Sequence, residues 1–221
     1  MFDGKFRKSV DATTAPIGKW LAKFGFSADA LTGSGLVFAC ATAWAIAVGF
    51  FYLAIVLLIL TGFHDLFDGP VAKASHRASQ RGSFFDSVID RLSDAVLLGG
   101  VAYYLDAHHH GQLVLLPFAI LSMTFMISYQ RSKAESLGLN AKGGLMERAE
   151  RMVLLGISLL ATQIFIPVLW LMLVLTTMTA AGRFWRVWQI AASPAPAAPL
   201  PERSHLHASR LRRGPSRASR H

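Results

Sequence analysis

No charged residue occurs from Thr32 to Phe63 or from Met152 to Ala181, and each stretch is too long for one membrane-spanning helix. A single helix over the first would be about 48 Å long at roughly 1.5 Å per residue, against a hydrocarbon core of about 30 Å. Two helices joined near Val48-Gly49 accommodate it. In the second stretch Pro167 offers the break, because proline removes a backbone donor and disfavours helix at the residue before it. Between these hairpins, Gly82 to Leu105 and Leu113 to about Ser136 each read as a helix with a polar end and an apolar body, separated by the turn Asp106-Ala-His-His-His-Gly111. The pattern predicts an all-α integral membrane protein of six transmembrane helices.

Composition supports that class, with 53% hydrophobic and only 16% charged residues. The net charge of +9 raises the question of nucleic acid, but that partner needs a basic face on a soluble fold, so none is expected. The basic residues instead report orientation. Residues 1–27 carry five, 73–91 four, 131–151 five and 183–221 eight, together all 22, whereas the opposite connections carry none. Both termini are therefore expected on the cytoplasmic side of the cell membrane. The polar stretch Met1 to Lys8 lacks the apolar core of a removable signal peptide. Cys40, the sole cysteine, excludes an intramolecular disulfide and a thiolate zinc site.

Three regions follow. Residues 1–27 are expected to form an amphipathic surface segment, since Val10, Ile17, Leu21 and Phe24 are interleaved with Lys8, Lys19 and Lys23. Residues 28–190 form the six-helix membrane domain. Residues 191–221, rich in Pro and Ala and then Arg, are expected to be a disordered cytoplasmic tail attracted to anionic membrane lipids.

The candidate chemistry lies in aspartates. Asp65 and Asp68 share a face at the cytoplasmic end of the second span, and Asp86, Asp90 and Asp94 recur every four residues on the third. Ionised residues within a span are costly and point to function. Clustered carboxylates need cations to stay ionised together, and their hard oxygens suit Mg²⁺ or Mn²⁺. A proton or cation relay would use such residues too. Gly69, Gly82, Lys73 and Arg81 shift the balance, because close backbone approach and positive charge suit a pyrophosphate.

The run Asp65-Leu-Phe-Asp68-Gly69-Pro-Val-Ala72-Lys73, eight residues, then Gly82-Ser-Phe-Phe-Asp86-Ser-Val-Ile-Asp90 resembles the signature of the CDP-alcohol phosphotransferase family, D-x2-D-G-x2-A-R-x8-G-x3-D-x3-D. Lys73 stands where the family has Arg, keeping the charge but losing the planar fork. Ala28-Asp29-Ala30-Leu31-Thr32 is similar to the family's P-N/D-x-x-T entry, with Ala28 replacing proline. Tyr129 to Glu135 and Gly143 to Arg151 look like the acceptor-side segments of bacterial phosphatidylinositol phosphate synthases. The resemblance implies that Asp65, Asp68, Asp86 and Asp90 surround two metal ions, with Asp90 also the general base. It further implies that Asp29, Ala30, Leu31, Thr32, Gly69, Lys73 and Ser79 contact a CDP-diacylglycerol donor, and that the enzyme is a homodimer. Asp94 lies outside the signature, as a hydrogen-bonded neighbour or as a direct participant.

Arg131, Lys133, Arg148 and Arg151 supply more positive charge than an uncharged polyol needs, which points to a phosphorylated acceptor, and the resemblance of Tyr129 to Glu135 and Gly143 to Arg151 to the inositol phosphate branch implies inositol phosphate. Arg131 and Lys133 lie two apart and diverge on a helix, whereas Arg148 and Arg151 lie three apart and share a face. Ordinary retention of basic residues on the cytoplasmic side would also account for them. The alternatives are glycerol 3-phosphate as acceptor and, from a different class, a cation or proton transporter. His108 to His110 read as a solvated turn, Trp170, Trp185 and Trp188 as interfacial anchors, and Ala39, Ala43 and Ala47 as a helix contact.

Overall fold

The computed structural model describes residues 16, 20, 23, 27–74, 79–109, 111–141 and 143–192, without the side chains of Asp68, Ala72 and Lys73. The surface segment expected over residues 1–27 and the tail expected over 191–221 lie almost wholly outside the described residues. Among the described residues from 28 to 192, six helices run: α1 (Ala28–Ala47), α2 (Phe51–Ala74), α3 (Gln80–His108), α4 (Leu115–Ser136), α5 (Arg148–Ser158) and α6 (Thr162–Ala192). A single 3₁₀ turn, Gln112–Val114, leads into α4, and no strand occurs among the described residues.

The helix ends follow local chemistry. Ser27 caps α1 by accepting from the Ala30 amide at 3.1 Å, and Asp29 in the first turn favours the positive helix end. Ser79 caps α3 in the same way, accepting from the Gly82 amide at 3.0 Å. The α1–α2 hairpin closes where expected. Gly49, at φ 81°, donates to Ile46 while the Phe50 amide donates to Ala45, a Schellman ending that needs a residue free to adopt left-handed backbone.

The second hairpin differs from expectation. The chain turns at residues 159–161, and Pro167 lies inside α6. Its ring costs one backbone hydrogen bond near the helix start without ending the helix, so this proline marks no boundary. As a result α5, with 11 residues, is about 16 Å long and α6, with 31, about 46 Å.

Helix α1 packs along α2 and α3, while α4 and α5 pack on α6. Small residues let α1 and α3 approach: Ala39 and Ala43 are buried, and a side chain on Gly100 would collide with the Ala43 backbone. Ile46, Leu58, Val101, Leu105, Ile120, Phe165 and Leu169 fill the interior. At the end away from the aspartates, Phe51 stacks on Phe165 at 5.4 Å and Tyr104 packs edge-on against both.

Large apolar side chains also face outward, among them Tyr52, Val56, Phe118, Trp170, Trp185 and Trp188. A solvated surface would not carry so many. Four helices of the described residues, Ala28–Ala47, Phe51–Val71, Gln112–Ser136 and Thr162–Ala192, are long and apolar enough to cross a membrane. The chain is an all-helical membrane protein.

Candidate active site

Two helices bring the carboxylates together. Asp65 comes from the last turns of α2, and Asp86 and Asp90 from the first turns of α3, where the four-residue spacing turns them to one side. Asp68 lies on the same helix as Asp65, with its side chain outside the described set. Opposite them, the first turn of α5 supplies Arg148 and Arg151. Arg148 forms an ion pair with Asp90 and touches Asp65 through its other terminal nitrogen, 2.9 Å from Oδ2. One α5 side chain thus ties α2 to α3.

Further cations close the cluster. Arg91 lies 3.6 Å from Asp90 and donates to the Ser87 carbonyl at 2.8 Å. One turn deeper, Asp94 and Arg151 form a buried pair at 2.6 Å. Arg183, only 3% exposed on α6, donates to the Ile127 carbonyl at 3.0 Å and the Gly143 carbonyl at 3.1 Å, and lies 3.4 Å from Glu147. A Cβ on Gly144 would sit 2.7 Å from Thr179, so only a bare backbone lets this loop lie flat on α6 and receive the arginine.

Two clefts of opposite character meet at the cluster. The first, about 630 Å³, runs between α2 and α5 and is walled by apolar residues including Leu58, Ile59, Met152, Val153 and Ile157, with Asp65, Asp86, Asp90 and Arg148 at its polar end. The second, about 440 Å³, lies between α3, α4 and α5 and is walled by Ser83, Arg91, Ser128, Arg131, Arg151 and Arg183, among other polar groups. Asp86, Asp90 and Arg148 border both. A molecule with an apolar body and a charged head fits the first cleft, and an anionic, water-soluble one fits the second.

The other sequence-derived residues fall around this junction. Asp29, Ala30, Leu31 and Thr32 form the first turns of α1, with Leu31 and Thr32 buried and Asp29 and Ala30 exposed. Gly82 faces both Ser79 and Asp29, so the starts of α1 and α3 lie side by side. Gly69 is exposed on α2. Arg131 lines the polar cleft and pairs with Glu135 at 3.0 Å, whereas Lys133 is exposed and does not line it. Arg91 and Arg183 also line that cleft, although nothing in the sequence reading singled them out. An arginine at the end of an apolar span is a signal for Arg183.

The donor chemistry fits a hard divalent cation. Asp65 Oδ2 is buried, its contact with the Arg148 guanidinium at 2.9 Å is an ion pair without hydrogen-bond geometry, and the neighbouring ligand atoms are carboxylate oxygens. No group of three or more acidic, histidine or cysteine side chains closes on one point among the described residues, a set that omits the Asp68 carboxylate.

Residues 26–181 match the model of the CDP-alcohol phosphatidyltransferase family. The archaetidylinositol phosphate synthase of Methanothermobacter thermautotrophicus is 33% identical over 194 residues, covering 84% of this chain and 93% of the relative. The phosphatidylinositol phosphate synthase of Mycobacterium marinum is 27% identical over 192 residues, covering 82% of each. The fold matches a crystal structure of Mycobacterium tuberculosis phosphatidylinositol phosphate synthase with CDP-DAG bound, with a TM-score of 0.74 at 24% identity over 83% of this chain and 98% of that one. A structure of the same enzyme with manganese and citrate gives a TM-score of 0.72 at 24% identity, over 83% and 93% of the two chains. With its signature residues gathered at one end of a helical membrane fold, the chain belongs to the CDP-alcohol phosphatidyltransferase family and is a transferase of phospholipid biosynthesis.

Proposed function

We propose that this enzyme transfers the phosphatidyl group of CDP-diacylglycerol to inositol phosphate, giving phosphatidylinositol phosphate and CMP. The observation that carries the reading is the junction of an apolar and a basic polar cleft at Asp86, Asp90 and Arg148. In this reading the acyl chains occupy the apolar cleft, the pyrophosphate lies at the carboxylates, and the acceptor enters from the polar side. The archaeal and bacterial relatives are named for different lipids but share inositol phosphate in their names, which supports the acceptor.

Asp65, Asp68, Asp86 and Asp90 would hold two divalent cations, Mg²⁺ or Mn²⁺, which would supply charge neutralisation at the pyrophosphate and at the departing CMP. The manganese in the structural relative supports this choice. The family resemblance gives Asp90 the task of taking the acceptor's hydroxyl proton, and its position on the border of both clefts, shared with Asp86, is compatible with that role. The freed oxygen bonds to the phosphorus that carries diacylglycerol, and the bond from that phosphorus to CMP breaks. Asp29, Ala30, Leu31, Thr32, Gly69, Lys73 and Ser79 bind the CDP end of the donor, and Arg131, Lys133, Arg148 and Arg151 draw the acceptor phosphate. Arg148, which pairs with Asp65 and Asp90 in the structure, would turn to the acceptor phosphate when those carboxylates take the cations.

The proposed setting is a homodimer in the cell membrane, each chain with a six-helix membrane domain in residues 28–190, a surface segment at 1–27, and both termini and the site facing the cytoplasm. The connections at 48–50, 109–111 and 159–161 contain no Lys or Arg, which supports that orientation. Purified protein given radiolabelled CDP-diacylglycerol should release CMP fastest with inositol phosphate. Preference for free inositol or glycerol 3-phosphate would overturn the acceptor while leaving the enzyme class intact.

A further inference from the structure

We infer that Asp94 is a positioning residue that fixes Arg151 to receive the acceptor phosphate; this rests on the acceptor proposed above. Three observations lead to it. Asp94 and Arg151 are 8% and 6% exposed, and their side chains pair at 2.6 Å between α3 and α5. Both line the polar cleft, while immediately beneath them Leu97, Leu98, Leu155 and Met172 line an apolar space, so the pair forms the floor on which a polar ligand would rest. Helices α3 and α5 are not in backbone contact among the described residues, so the pair spans a gap.

A buried ion pair is a poor source of stability, because desolvating both partners offsets their attraction. Orientation is what this pair provides. Arg151 is held at one terminal nitrogen by Asp94, and the other lies 3.5 Å from the Met146 carbonyl. A guanidinium carries five N–H donors in a fixed plane, so with one side held by Asp94 its remaining donors keep a set direction. Arg148, three residues earlier on the same face, is oriented by Asp90 in a parallel arrangement one turn away. Asp86, Asp90 and Asp94 thus divide one periodic face of α3 between the reacting centre and the support of the acceptor's cation.

The test uses full-length enzyme in micelles. Asp94→Asn removes the charge but keeps the shape and should raise the KM for inositol phosphate about tenfold or more, the scale on which loss of an orienting partner acts in metal sites. Its KM for CDP-diacylglycerol and its kcat at saturating acceptor should not change. In an Arg151→Gln background the same substitution should add nothing, since the effect passes through Arg151. Unchanged acceptor KM in Asp94→Asn, or full additivity with Arg151→Gln, overturns the inference while wild type still uses inositol phosphate. Wild type preferring an uncharged alcohol overturns the acceptor reading, and the inference with it. If Asp94→Asn does not fold, Asp94→Glu and Asp94→Ser replace it, with acceptor KM rising in that order; equal values in wild type and both variants overturn the inference.

Discussion

Arg148 of α5 is paired with Asp90 of α3 on the border that the apolar and polar clefts share. The same guanidinium reaches Asp65 on α2, so three helices meet through one side chain. The same three helices also share apolar packing through Leu58, Leu97, Leu98 and Leu155, so charge and apolar contact act together at the site.

Removing a carboxylate should separate two roles. Asp68→Asn and Asp86→Asn should abolish transfer and weaken metal-dependent binding of CDP-lipid, since each loses a hard ligand. Asp90→Asn should retain more of that binding yet lose about 10²–10⁴-fold in turnover, the usual contribution of a general base. Steady-state kinetics beside a CDP-lipid binding assay would check this, and wild-type turnover in Asp68→Asn would refute the assignment.

Chelation should stop the reaction reversibly. Treatment with EDTA is expected to abolish CMP release, with recovery on adding excess Mg²⁺ or Mn²⁺. Full activity in the presence of chelator, with metal content verified by elemental analysis, would exclude a metal role for the aspartates.

Filling the apolar cleft should act on the donor alone. Gly62 and Gly156 both line it, and a Cβ on Gly156 would already meet Leu58 at 3.6 Å. Gly156→Leu should raise the KM for CDP-diacylglycerol and leave that for inositol phosphate unchanged. A selective effect on the acceptor instead would show that the lipid lies elsewhere.

Arg183 should be a stability residue as well as a wall of the polar cleft. Arg183→Leu leaves the Ile127 and Gly143 carbonyls without their donor and Glu147 without its cation, at a cost of about 1–3 kcal/mol, the scale of a buried acceptor left unsatisfied. Thermal unfolding in detergent should show the loss. An unchanged midpoint would mean that the Gly143-Gly144 loop is held by other contacts.

Topology can be read by labelling. In a Cys40→Ala background, His109→Cys should react with an impermeant thiol reagent from outside intact cells and Ser79→Cys only after permeabilisation. The reverse pattern would invert the proposed orientation.

The aspartates were legible because ionised groups in apolar runs have few structural uses and their spacing sets their faces. The first hairpin was legible for a similar reason, since Val48-Gly49 supplies the conformational freedom that the turn uses. The second was misplaced because Pro167 is a local signal, whereas the turn at 159–161 contains neither Gly nor Pro. Arg183 was hidden because a basic residue at the cytoplasmic end of a span already had an explanation in membrane orientation. Only the fold reveals that it turns inward to Ile127 and Gly143, residues 56 and 40 positions away in sequence. Likewise the two-residue separation of Arg131 and Lys133 indicated divergence, but not which of them faced the cleft.

The groove between α2 and α5 has a consequence for supply. Ile59, Leu66, Val153, Ile157 and Leu160 line it and are also exposed on the molecule's flank, so its side opens toward the surrounding bilayer. On the function proposed above, a double-tailed donor would slide in from its own leaflet without extraction into water, whose cost would be about 0.8 kcal/mol for every methylene exposed. The encounter is then two-dimensional, and turnover follows the mole fraction of donor among its lipid neighbours, so that diluting the membrane with inert lipid slows the enzyme even at constant bulk concentration.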